Sequence, residues 1–220
     1  MPLPDLYPAS LGGDGVSMEP AMRLALEASF GGVEGWRRDF LGRGASAPVD
    51  ARWLLMAFDP NGGHLVNRAL VAGDARRVPL LALPLSGQDS AMLAREMQHI
   101  AWAGVYQRYQ AAVHAASEPL AADADALQGA MVLDVRRAGV FAQAPSMIPG
   151  ARWCDPATVT TWAAELPAEQ PVVVYCVYGH EVGRSTAMRL RAAGVNARYL
   201  SGGIDGWTRA GRPVVDKPRA

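Results

Sequence analysis

One cysteine stands where a thiol could do chemistry. In the stretch Pro171-Val172-Val173-Val174-Tyr175-Cys176-Val177-Tyr178-Gly179-His180-Glu181-Val182-Gly183-Arg184-Ser185, an apolar, β-branched run ends at Cys176. A short loop with two glycines follows, then a run of helix formers over residues 185–193. The pattern predicts a buried parallel strand, a turn and a helix. Cys176 then falls in the turn, in front of the helix N-terminus. The first backbone N–H groups of such a helix have no intrahelical partner and carry the positive end of its dipole. A thiol there is expected to lose its proton more easily and to act as a nucleophile. The same N–H groups can hold an anion.

The elements that must position this thiol follow from the rest of the chain. Its 220 residues exceed the usual size of one domain, so one large or two small domains are expected. Lys and Arg balance Asp and Glu at 21 each, which gives no reason to expect nucleic acid or an anionic membrane as partner. No stretch approaches the roughly 20 apolar residues of a membrane span. The first residues carry no basic n-region or apolar h-region, so no secretory signal is read. With two cysteines, Cys154 and Cys176, a disulfide framework is not expected and a reduced cytoplasmic setting is.

Residues 1–18, rich in Pro, Gly, Asp and Ser, read as an irregular lead-in. Residues 19–30 and 33–41 read as helices separated by Gly31-Gly32, and residues 42–50 as a loop. Residues 53–58 and 65–71 predict an antiparallel hairpin, and residues 78–85 a third strand, in which Pro79 and Pro84 argue for its ends or an edge. Residues 91–116 have helical spacing that Gly104 could split, with Met92, Leu93, Met97, Ile100, Val105, Tyr106 and Tyr109 as core positions. A junction near residues 117–126 separates a domain at 1–117 from one at 118–220. Beyond it, strands at 131–135, 172–175 and 197–200 alternate with helices at 158–166 and 185–193 and a short one through Trp207, the pattern of a parallel α/β sheet.

The second domain resembles a rhodanese. The resemblance rests on Val132-Leu133-Asp134-Val135-Arg136, the turn Ile148-Pro149-Gly150-Ala151, Val173-Val174-Tyr175-Cys176 followed by Gly179, and Leu200-x-Gly202-Gly203-x-x-x-Trp207-x-x-x-Gly211-x-Pro213-Val214, in this order. It implies a sulfurtransferase-like mechanism, in which the loop thiolate takes sulfane sulfur as a persulfide and passes it to a thiol or similar acceptor. Cys176 is then the nucleophile, and Val177, Tyr178, Gly179, His180, Glu181, Val182 and Gly183 form the anion cradle, with Arg184, Asp134 and Arg136 in support. The implied partners are a small sulfur-containing anion or persulfide donor and a thiol acceptor, with no cofactor and no metal.

Inside the loop the residues depart from the family. Many rhodaneses carry Arg or Lys at the fifth position after the cysteine, where this chain has Glu181. The segment up to Gly194 is one residue longer than in the commonest sulfurtransferases, as in some dual-specificity phosphatases. Those need Arg at the sixth position, where Val182 stands, so phosphatase chemistry is disfavoured. A carboxylate here opposes a dianionic donor unless Arg184 or His180 offsets it, which puts thiosulfate in question as donor. His180 reads as a charge partner or as a plain exposed residue. Asp134 and Arg136 read first as a structural ion pair at a strand end. Cys154 reads as a buried free thiol, with a resolving role toward Cys176 as the alternative.

Residues 1–116 resemble the C-terminal domain of iron/manganese superoxide dismutases. The carriers are Ala28-Ser29-Phe30-Gly31-Gly32-Val33-Glu34-x-Trp36-x-x-Asp39-Phe40, Arg52-Trp53-Leu54-Leu55, the strand pair around Gly63 and Val66, and Val78-Pro79-Leu80-Leu81-Ala82-Leu83. Where that family continues with Asp-x-Trp-Glu-His, this chain has Pro84-Leu85-Ser86-Gly87-Gln88, which lacks the two metal ligands. Neither His64, His99 nor His114 matches a ligand position, and dismutase activity is not expected. This smaller α+β domain, with its antiparallel sheet, is expected to dimerise, dock a partner or bring a sulfur acceptor to Cys176. The rival reading is a non-catalytic regulatory or oxyanion-binding module that senses redox or stress state.

Overall fold

The structure, a computed structural model, describes residues 1–71, 77–85, 90–167 and 169–218. The chain forms two compact units, one of Met1–Pro60 and His64–Ala112, the other of Asn61–Gly63 and Val113–Ala220.

The first unit begins with helix α1 (Leu3–Ala9) where an irregular lead-in was expected. Turn-forming residues set the local preference, but Leu6 is buried with Leu55 and Ala82, and burying one such side chain is worth about 1.5–3 kcal/mol. Helix α2 (Pro20–Phe30) starts with Pro at its first turn and closes at Gly31. Helix α3 (Val33–Ala45) runs on through Gly42 and Gly44 instead of ending at Leu41. Gly44 has a tertiary reason to be small, since an added Cβ would lie 2.9 Å from Leu93. Strands β1 (Trp53–Asp59), β2 (His64–Leu70) and β3 (Val78–Pro84) form an antiparallel sheet of order β2-β1-β3. The central strand β1 is buried from Leu54 to Phe58, and β3 takes an edge, where its prolines are tolerated. Helix α4 (Ser90–Glu96) and helix α5 (Trp102–Ser117) are separated at Ile100–Ala101, not at Gly104, because Ile100 leaves the helix to bridge Leu11. Met92 is exposed, contrary to expectation, while Leu93, Met97, Ile100, Val105 and Tyr109 are buried.

The second unit holds β4 (Ala121–Ala122), β5 (Met131–Asp134), helix α6 (Ala138–Gln143), β6 (Ser146–Met147) and β7 (Arg152–Trp153). Helix α7 (Val159–Trp162), β8 (Val172–Tyr175), helix α8 (Glu181–Ala192), β9 (Ala197–Leu200), helix α9 (Gly203–Arg209) and β10 (Val215–Asp216) follow. Five strands pair in parallel in the order β4-β9-β8-β5-β7, so this unit is the expected α/β fold. β6 and β10 form a small separate antiparallel pair. Strand β8 sits at the centre and is buried throughout, which suits its Val-rich run. Alternate residues serve two cores. Val172 and Val174 join Leu133, Ala187, Leu190 and Tyr199, while Val173 and Tyr175 join Ile148, Leu200 and Ile204. The helix expected over 158–166 is one short α-helical turn set between two 3₁₀ turns. The chain moves outward from β5 to β7, then crosses to the other side of β5 for β8. Ligands of open α/β sheets bind at such a reversal, outside the C-terminal ends of the strands.

Candidate functional site

Cys176 follows β8 directly at that reversal. Helix α8 starts at Glu181, four residues earlier than its helix formers suggest, with His180 in the extended N-cap position. Glu181, Val182 and Gly183 are therefore the first helical turn, and the loop proper is Val177–His180. The His180 side chain makes no capping bond. The backbone N–H groups of Gly183, Gly179, His180 and Tyr178 lie close enough to Cys176 to pull its pKa down. One of these, Gly183, belongs to the unpaired first turn of α8. An added Cβ at Gly183 would stand 3.3 Å from Cys176 Sγ, so the backbone reaches the sulfur because no side chain intervenes.

Helix α9 holds the loop from behind. Ile204 N–H donates to the Cys176 carbonyl at 3.0 Å and Asp205 N–H to the Val177 carbonyl at 2.9 Å. With these carbonyls turned to α9, neighbouring N–H groups face the sulfur. The approach requires glycine on both sides. Gly203 (φ +58°) would place a Cβ 2.5 Å from the Cys176 and Val177 carbonyl oxygens, and Gly179 (φ +70°) would place one 2.7 Å from the Gly202 nitrogen. The Gly202-Gly203 pair is thus a contact surface for the cysteine loop.

The thiol is not poised in the way the sequence suggested. Burial pushes its pKa above the ordinary thiol value, and the N–H groups of Gly183, Gly179, His180 and Tyr178 pull in the opposite direction without cancelling it. Desolvation penalises a thiolate at a site only 5% exposed, and this outweighs the N–H groups.

Arg184 does not enter the cradle as a substrate-binding cation. Its Nε donates to the Gly179 carbonyl at 2.9 Å, its Nη1 to Ser117 Oγ at 3.2 Å and to the His114 carbonyl at 3.4 Å, and it pairs with Glu118 at 3.4 Å. Its guanidinium lies 4.4 Å from the centre of the Tyr199 ring. It steadies the loop from the rear. Glu181 is buried in the first turn of α8, and its charge raises the His114 pKa, against the stronger lowering by burial and by Arg184. His180 and Tyr178 are exposed, their rings 5.6 Å apart, and the His114 ring lies 5.8 Å from that of His180. His114 lies on α5 and is partly buried. Its neighbour comes from a distant part of the chain, and no local signal could have revealed the pairing.

Asp134 and Arg136 form the structural network expected of them. Arg136 Nε donates to both Asp134 carboxylate oxygens at 2.9 Å, with a further contact from Nη2. Tyr175 Oη donates to Asp134 at 2.9 Å and accepts from the Ile148 N–H at 3.2 Å. This ties the ends of β5 and β8 to the turn at residues 148–151. Burial, with the Asp134 charge beside it, pushes the Tyr175 phenol up, so it stays a donor. Cys154 is a buried free thiol in the apolar core, also pushed up by burial.

Residues 116–210 match the family model described as Rhodanese-like domain. Among curated proteins the chain is similar to a superoxide dismutase (Fe) of Cupriavidus metallidurans, 33% identical over 127 residues, which covers 51% of this chain and 63% of that protein. The chain thus spans less than two thirds of that relative's length, a match consistent with a dismutase-like N-terminal domain. Among solved structures it is similar to a thiosulfate sulfurtransferase from Pseudomonas aeruginosa, at 27% identity and a TM-score of 0.38 over 44% of this chain and 19% of that one. It is also similar to a rhodanese-related protein from Thermoplasma volcanium, at 24% identity and a TM-score of 0.37 over 43% of this chain and 96% of that one. Iron does not fit the described residues of this chain, which include no group of three or more His, Cys, Asp or Glu able to hold a metal ion. Pro84 ends β3 and Leu85 follows it, two residues that cannot bind a metal, whereas Ser86, Gly87 and Gln88 lie outside the described residues. His64 begins β2 opposite Asp59, and His99 is exposed at the end of a 3₁₀ turn. Among the described residues no helix is long and apolar enough to cross a membrane.

Proposed function

Taking residues 116–210 as a rhodanese-like domain, we propose that this protein carries sulfane sulfur as a persulfide on Cys176 and hands it to a thiol acceptor. The observation that carries the reading is the place of Cys176 at the end of the central strand, where backbone N–H groups of four residues favour its thiolate. A cap of this kind favours an anion at the sulfur position, and a persulfide is more readily an anion than a thiol. In the first step the Cys176 thiolate attacks the outer sulfur of the donor. The donor's S–S bond breaks, its leaving group departs with the electron pair, and a new S–S bond forms on Cys176. In the second step an acceptor thiolate attacks that outer sulfur and regenerates the Cys176 thiolate. The N–H groups offset the negative charge in both steps. The buried resting thiol, whose pKa is raised, must first ionise, and donor binding at the cradle supplies the occasion. The N-terminal domain is assigned the role of a partner module, for a second copy or for the sulfur acceptor.

One observation favours a second reading. Cys176 is nearly enclosed and burial pushes its pKa up, as suits a regulatory module that binds an oxyanion without turnover. A single experiment separates the two. The protein is incubated with thiosulfate, a thiosulfonate or polysulfide, and its intact mass is measured. Gain of one sulfur atom, lost in Cys176→Ser and discharged by added thiol, is expected; no sulfur gained from any donor leaves the regulatory reading.

A further inference from the structure

The β6–β10 pair closes one side of a cleft that the cysteine site does not use. Val215 pairs with Met147 and Asp216 with Ser146, and the Lys217 N–H donates to the Pro145 carbonyl at 3.0 Å. These bonds lay the C-terminal segment beside helix α6. Lys217 Nζ donates to the Phe141 carbonyl at 2.9 Å and to the Ala142 carbonyl at 2.7 Å, in the last turn of α6. The open cleft has a volume of about 880 Å³ and is walled by Phe141, Pro145 and Trp153, with Asp216 and Lys217 also on its lining. Small-molecule sites run from about 300 to about 1,000 Å³ and join apolar walls to a few placed polar groups.

The aromatic wall is held by the protein itself. The Phe141 and Trp153 rings stack at 5.0 Å with 11° between their planes, and Trp153 Nε1 donates to the Arg136 carbonyl at 2.9 Å. With the indole N–H spent, recognition falls to the two charges. Lys217 is the only lysine of the chain. Its ammonium rests on two neutral carbonyls and 4.9 Å from the centre of the Phe141 ring, which leaves a donor over and the charge uncancelled. Asp216 is exposed. Among the described residues, neither Asp216 nor Lys217 makes an ion pair. A lone cation entering the cleft meets Lys217 and the Arg136 guanidinium, which lies 5.4 Å from the Phe141 ring centre. A lone anion meets Asp216. A ligand that carries both charges complements both residues.

We propose that this cleft binds a free α-amino acid with an aromatic side chain, its ring on the Phe141–Trp153 wall, its carboxylate on Lys217 and its ammonium on Asp216. Aromatic rings pack on one another in offset or edge-to-face arrangements, which gives the wall its preference. The site stands whether or not Cys176 carries sulfur.

L-Phenylalanine is the probe, and calorimetric titration of the full chain compares it with three analogues. 3-Phenylpropionate lacks the ammonium, phenethylamine lacks the carboxylate and L-alanine lacks the ring. Phenylalanine is expected to bind at least about threefold more tightly than either singly charged analogue, the scale of one exposed charge pair. It should bind at least about tenfold more tightly than alanine, which has no ring to bury. Asp216→Asn should abolish the preference over 3-phenylpropionate. Lys217→Gln, which keeps donors for the α6 carbonyls, should abolish the preference over phenethylamine. With a single lysine, ¹³C-lysine labelling gives one Cε resonance, which phenylalanine should shift and alanine should not. No binding of phenylalanine, equal binding of the analogues, preferences that survive both substitutions, or a Lys217 resonance unmoved by bound phenylalanine overturns the proposal. None of these outcomes bears on sulfur loading at Cys176, which is read separately by intact mass.

Discussion

Cys154 and Cys176 invite comparison because so much about them is shared. Each follows a parallel strand of one sheet, β7 for Cys154 and β8 for Cys176, with β5 between the two strands. Each is a free thiol, 8% and 5% exposed, and burial pushes both pKa values up. The difference lies in what opposes burial. At Cys154 it is Arg152, two residues earlier on β7, while Glu165 and Asp134 add to the upward push and the apolar core packs around it. At Cys176 it is four backbone N–H groups from a loop and a helix start. Burial therefore says nothing about which thiol could react. What separates them is backbone geometry imposed by glycines and by a second helix, and a side-chain inventory would not register it.

The comparison breaks most completely if the Cys176 loop loses its support. Gly203→Ala puts a Cβ 2.5 Å from two loop carbonyls, at a residue already in the left-handed region. Strain of about 1–3 kcal/mol is expected from the backbone conformation alone. Loading of sulfur should fall at least about a hundredfold, the scale of losing an anion-stabilising donor. Gly129→Ala is the matched control, with a similar φ of +74° and no atom near the added Cβ. It should lower the melting temperature and spare loading. Equal loading by Gly203→Ala and Gly129→Ala would show that α9 does not shape the cradle.

A smaller change sharpens the same point. Gly183→Ala adds a methyl 3.3 Å from Cys176 Sγ while keeping the N–H that caps it. Alanine is favoured over glycine inside a helix by about 1 kcal/mol, so the melting temperature should hold or rise. Loading should nonetheless slow by about tenfold, because an outer sulfur and its donor need the space the methyl takes. A variant with unchanged loading would mean that the persulfide leaves the cradle on another side.

These positions also show what was legible beforehand. The Val172–Tyr175 strand was readable because β-branched residues and a continuous apolar run admit few other structures, and the cysteine's place at its end came with it. The start of α8 was set four residues too late. Gly179, His180 and Gly183 look like loop residues one by one, but an acid at Glu181 in the first turn is a helix-start signal, and His180 at the N-cap makes no side-chain capping bond. The contact between Gly203 and the loop was visible only as a motif; its reason, two carbonyls accepting from Ile204 and Asp205, is tertiary. Helix α1 was missed for a like reason, since Leu6 is fixed by Leu55 and Ala82 against a local composition that favours turns. The expected easy ionisation of Cys176 went wrong because the sequence shows which N–H groups are near a thiol but not how little water is left there.

The least disruptive test concerns what the two thiols share. Both have folded-state pKa values raised by burial, so each contributes stability that is fully present below the unfolded thiol value of about 8.5. As pH rises past that value the unfolded chain sheds protons that the folded chain keeps. Stability then falls until the folded thiols ionise as well. The slope cannot exceed about 1.4 kcal/mol per pH unit for each thiol. Between about pH 8.5 and pH 10, below the range of ordinary tyrosines, thermal denaturation should show a declining melting temperature. Cys154→Ala and Cys176→Ala should each decline less steeply, whatever their starting stability, because each has lost one titrating thiol. If Cys176→Ala runs parallel to the unmodified protein while Cys154→Ala flattens, the four N–H groups cancel burial at Cys176, and the thiol is as ready to ionise as its place in front of α8 first suggested.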